Sequence, residues 1–148
     1  MRKILTALAL CLATFPLAAF AQHTSPVGTW TTIDDDTHKP KSIVEIYTTT
    51  NGSLAAKVVE VLESEQGPHP VCEACSGDRK GKPVEGMVIM WNVRKDGDTW
   101  DGGKILDPHN GKTYSVKLRP SADGGKLEVR GYLGFSLLGR SQTWVRKH

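Results

Sequence analysis

Four sets of residues in this 148-residue chain carry side chains that could do chemistry. The first lies near the C-terminus, where Arg140, Gln142, Trp144 and Arg146 alternate with Ser141, Thr143 and Val145. In an extended strand that spacing places all four on one face. If Arg146 points inward, Trp144, Gln142 and Arg140 rise above it in a column. A guanidinium matches carboxylate and phosphate oxygens, but it is costly to bury unless paired. Arg140 therefore needs an acid of the chain or an anionic ligand. Glu60 and Asp101 are the candidate acids, with Glu45 a third if its strand faces the other way. Two readings stay open: a solvated salt bridge at a rim, or recognition of a carboxylate or phosphate.

The second set is Cys72-Glu73-Ala74-Cys75. A thioredoxin-type thiolate would need a helix N-terminus after a strand, and residues 77–83 offer none. A zinc ribbon would need a second pair. A disulfide between Cys72 and Cys75, tightening a long loop, is the preferred reading, with redox and metal chemistry as the alternatives. The third set, Asp107-Pro108-His109-Asn110-Gly111, is first a turn. Proline fixes φ and Asn-Gly tolerates positive φ, which accounts for every residue except His109. Together with Asp34, Asp35, Asp36 and His38 it would make a carboxylate/imidazole metal site, but the spacing matches no ligand signature. No metal or other cofactor is expected. Ser115, Ser136 and Ser141 adjoin no catalytic motif, and no phosphate-cradling glycine loop opens a helix. The chain is expected not to be an enzyme, an activity around Asp107 and His109 ranking last.

The fourth set is a pair of bookends, Trp30 in Gly28-Thr29-Trp30 and Arg146 in Trp144-Val145-Arg146. What lies between must position them. Short runs rich in Val, Ile, Thr, Tyr and Trp alternate with Gly, Asp, Asn and Pro. They predict strands over residues 28–33, 42–49, 53–62, 86–93, 99–106, 112–119, 126–133 and 140–146. The sharpest period-two alternation runs from Tyr114 to Arg119. Short turns favour pairing of consecutive strands, and closing the sheet removes its edges. The expected fold is all-β: an eight-stranded antiparallel up-and-down barrel of the lipocalin/calycin kind, able to hold one small ligand or to be filled by side chains. In such a ring the first strand begins and the last ends at the same closed end, so Arg146 can stack on Trp30 as a structural plug. The connections 34–41, 63–85, 107–111 and 134–139 then crowd the opposite, open end, which is where binding is expected.

Residues 1–21 read as a cleaved secretory signal: Arg2 and Lys3, an apolar run too short to span a membrane, and small residues before a cut after Ala21. Residues 22–148 then form one domain. Losing Arg2 and Lys3 leaves 17 basic against 16 acidic residues, a balance that gives no electrostatic reason to expect nucleic acid or an anionic membrane. A periplasmic or secreted protein with no stable membrane span follows from these features; they do not specify an oligomeric state.

Several stretches resemble one known family. They are Gly28-Thr29-Trp30, Val44-Glu45-Ile46-Tyr47, the run from Trp100 to Tyr114 with its Gly-Gly-x-Ile-x-Asp-Pro-x-Asn-Gly-Lys-x-Tyr pattern, Leu127 to Gly134, and Leu138 to Arg146. The chain resembles domain of unknown function 2147 (DUF2147), a bacterial envelope family with a lipocalin-like barrel. That resemblance implies a periplasmic β-barrel and no particular activity. The functional expectation is a secreted carrier of a small anionic amphiphile, with Arg140, Gln142 and Trp144 as its ligand contacts. The alternative is a filled barrel without a ligand, acting in the envelope through its mouth loops.

Overall fold

The computed structural model describes residues 25–148; the expected signal peptide lies outside them. Eight strands form a closed barrel in chain order: β1 (Gly28–Ile33), β2 (Pro40–Thr48), β3 (Leu54–Val61), β4 (Val88–Asp96), β5 (Thr99–Asp107), β6 (Lys112–Pro120), β7 (Lys126–Tyr132) and β8 (Gly139–Arg146). Every neighbouring pair is antiparallel. Among the described residues, helical geometry is limited to two single 3-10 turns, Gly77–Arg79 and Ser136–Leu138. The first falls in the segment expected to hold no helix, but one turn is too short to activate a thiolate.

Alternation decides which side chains fill the barrel. Trp30 faces Val44, Val44 faces Val58, Leu118 faces Val129 and Leu127 faces Trp144 across the ladders. Trp30, Val44, Ala56, Met90, Val93, Val116, Leu118 and Leu127 are completely inaccessible. A wall lining a cavity wide enough for a ligand would show accessible surface on these chains. The lower and middle barrel is therefore packed solid, which suits the capacity of an eight-strand ring.

At the closed end Trp30 donates its indole N–H to the Pro26 carbonyl at 2.8 Å. The Arg146 guanidinium lies over the Trp30 ring, 4.2 Å from its centroid. Three carbonyls accept from it: Gly124 at 2.6 Å, Val27 at 3.0 Å and Ser25 at 2.9 Å. Gly28 is explained by this arrangement. Its φ is +138°, and a Cβ there would sit 2.5 Å from an Arg146 nitrogen.

β4 is apolar on both faces because the long β3–β4 connection covers its outer side. Ile89 and Leu106 are buried with Cys72 and Cys75 in the same cluster as the interior. Arg79 lies over the Trp91 ring at 4.8 Å. His69 pairs with Glu85 at 2.8 Å, and Glu85 also accepts the Val61 N–H. Those two contacts hold the Glu85 carboxyl below its usual range, His69 being the larger cause.

Candidate functional site

β8 presents its column to the interior. Trp144 is only 2 % exposed, Gln142 is half-buried, and Arg140 reaches the open end with 67 % of its side chain accessible. The Trp144 indole N–H donates to the Gln142 carbonyl oxygen at 3.3 Å. Gln142 in turn donates to Asp35 Oδ2 at 3.1 Å, and Arg140 ion-pairs with the same oxygen. A relay of indole, carboxamide, carboxylate and guanidinium thus runs from the packed interior to the mouth.

The partner of Arg140 differs from all three acids expected. Glu60 is exposed beyond a bulge in the β2–β3 ladder, and Glu45 bonds Lys57 at 2.9 Å. Asp101 bonds Lys117 at 3.1 Å and accepts the Tyr132 hydroxyl at 3.1 Å, on the outer wall. Burial raises the Asp101 carboxyl, but the Gly102 N–H, Lys117 and Tyr132 together outweigh it and hold it below the usual range. Asp35 comes instead from the β1–β2 loop. Ring closure makes that loop a neighbour of β8, and this was the signal available in the run Asp34-Asp35-Asp36.

The loop is shaped to deliver Asp35. Asp34 accepts from the backbone N–H of Thr37 at 2.8 Å and of Asp36 at 3.1 Å, and pairs with Lys41 at 3.1 Å. The Thr37 N–H, then Lys41, hold its carboxyl well below the ordinary value. His38 takes positive φ to complete the turn.

Beside Arg140 the inner wall is bare. Residue 131, its partner across the β7–β8 ladder, is Gly131, and a Cβ there would lie 3.6 Å from Tyr114 Cβ and 4.0 Å from Ile105. Ile105 and Tyr114 are half-buried, so the mouth offers a shallow step of apolar and aromatic surface next to the guanidinium.

Two other sets settle locally. Cys72 and Cys75 are joined in a disulfide with Cα atoms 5.3 Å apart. Cys72 Sγ lies 3.3 Å from the Pro108 carbonyl oxygen. Gly111, at φ +70°, takes the close approach of the Ala74 carbonyl that any Cβ would block. Asp107 spends its carboxylate on the His109 N–H at 2.9 Å, which makes it a turn-former, while His109 itself is exposed. Among the described residues no three His, Cys, Asp or Glu side chains converge as a metal site.

A closed eight-stranded meander, stapled by a stacked Trp and Arg at one end and open at the other, defines a lipocalin-like barrel. The chain belongs to the DUF2147 family, an uncharacterized family conserved in bacteria, whose profile matches residues 28–146. The fold is also similar to that of HP1028, a Helicobacter pylori protein described as belonging to the lipocalin family. The TM-score is 0.72 at 22 % identity, with 84 % of each chain covered. No curated protein sequence matches the chain.

Proposed function

We propose that this protein binds a small anionic amphiphile at the barrel mouth and works in the bacterial envelope after signal cleavage, without catalysing a reaction. The supporting observation is the clasp of Arg140, Asp35 and Gln142 on an inner wall left bare by Gly131. An acidic head would take the place of the Asp35 carboxylate on Arg140, exchanging one charged hydrogen bond for another. An unpaired cation is thereby avoided with and without ligand. The apolar part would rest on Ile105 and Tyr114 and not descend into the packed interior. Trp144, too buried to touch such a ligand, reports the exchange through its bond to Gln142.

Titration with fatty-acid-like and lipid-derived anions should therefore change tryptophan fluorescence saturably. Arg140→Ala should weaken binding by about 1.5–3 kcal/mol, the worth of a charged hydrogen bond, while the fold stays intact. If no anion gives saturable change, or the variant binds as well as the parent, this reading fails. A second reading, a filled barrel acting only through its mouth loops, is favoured by the inaccessibility of the interior side chains. It expects no small molecule to co-purify, which native mass spectrometry would reveal.

A further inference from the structure

The β7–β8 connection carries the most exposed apolar surface of the described residues. Leu133 is 59 % exposed, Phe135 78 %, Leu137 89 % and Leu138 77 %. Four large apolar side chains within six residues, projecting from a turn at the open end, are unlike the scattered apolar positions of an ordinary surface.

Charge is distributed to match. The outer wall beneath this loop, on β5, β6 and β7, presents Lys104, Lys117, Arg119, Lys126 and Arg130 against Asp101 and Glu128. Leu137 shares a surface concavity with Lys117, Arg119, Glu128 and Arg130. Lys117 and Arg130 face each other across the β6–β7 ladder, and Arg130 lies two residues below Tyr132, where β7 ends. Leu137 therefore lies directly beside three cations and one acid of the outer wall. The near-neutral total charge conceals this separation, because acids on the β1–β2 and β3–β4 connections, among them Asp34, Asp36, Glu63 and Glu65, and not on β5, β6 or β7, cancel it in the sum.

We infer that the β7–β8 connection docks on an anionic lipid surface, with Phe135, Leu137 and Leu138 inserted among the acyl chains and Lys117, Arg119 and Arg130 beside them against the headgroups. Such insertion is shallow and reversible, and its strength combines buried apolar area with attraction to anionic lipid. This inference is independent of the ligand reading, since the small-molecule titration needs no bilayer.

Purified protein should float with phosphatidylcholine vesicles containing phosphatidylglycerol, less with phosphatidylcholine alone, and progressively less as salt rises. The variant carrying Phe135→Ser and Leu137→Ser should lose vesicle partitioning by about tenfold or more with its circular dichroism and melting unchanged. Replacing Phe135 by Trp should add an emission that shifts to the blue on the same vesicles and is quenched by brominated acyl chains. Flotation that fails altogether, or that survives the double Ser variant, overturns the inference. So does a concentration-dependent dimer in sedimentation that the same variant abolishes without any vesicle binding, which would assign the loop to a second copy of the chain.

Discussion

Arg146 illustrates how much one side chain can join. It caps the aromatic floor, ties the last strand to the segment before the first, and takes a carbonyl from the β6–β7 turn. Trp30→Ala should destabilise the protein by roughly 3–5 kcal/mol, as removal of a buried large aromatic does. Arg146→Ala should cost less. Chemical denaturation of both single variants and the double variant should give a clearly non-additive cycle, because the groups touch; full additivity would mean that the stacking contributes nothing. Asp34 makes the prediction on acidity. Its folded pKa lies well below the ordinary 3.8, so its stabilisation of the β1–β2 loop is complete above that value and fades as pH falls through the lower folded one. Carboxyl carbon NMR should show Asp34 still ionised at pH 3, with the Thr37 amide protected; an ordinary midpoint would remove the turn's electrostatic basis. At this scale the inward column of β8 was legible from spacing alone, since period two is geometry. Asp35 was not, because a pairing between a loop and a strand more than a hundred residues away leaves no local trace.

Among the elements, strands were easier to read than connections for a physical reason. A strand repeats one backbone conformation, and burial of one face imprints that repeat on the sequence, as from Tyr114 to Arg119. Irregularities break the imprint. Asn92 at positive φ and the shift between Trp100 and Gly103 mark places where β4 and β5 depart from simple alternation, and β4 runs over Val88–Asp96 instead of the expected 86–93. The β3–β4 connection was legible as a disulfide loop, but its role as an outer cover over Ile89 and Leu106 rests on packing that composition does not encode. Because its ring spans only three residues of separation, the Cys72–Cys75 bond restrains the unfolded chain little, by about 2 kcal/mol or less. Thiol titration of unfolded, unreduced protein should find no free thiols. Cys72→Ala/Cys75→Ala should leave the melting transition nearly in place while amide exchange accelerates across residues 70–86; a collapse of global stability would make the bond a core fastener.

The whole molecule is a ring of hairpins, and far-ultraviolet circular dichroism should accordingly show β structure with under a tenth helix, far from the usual third. A helical spectrum would refute the architecture. Seven of the eight joints in this ring connect strands adjacent in sequence. The eighth, β1 with β8, carries two register pairs, Trp30 with Arg146 and Thr31 with Val145, whereas β7 with β8 carries seven. Above those two pairs the first and last strands are linked through Asp35 and its partners. The consequence is kinetic. Each hairpin closes a short loop, but the last joint brings together residues as far as 121 apart and gains little until the rest of the ring is formed. Formation of this seam should therefore follow the folding barrier, and its contacts should govern how long the native ring lasts more than how fast it forms. In stopped-flow measurements Arg140→Ala and Arg146→Ala should each speed unfolding and leave the refolding limb nearly unmoved. A matching slowdown of refolding would mean that the two ends meet early and the ring assembles around them.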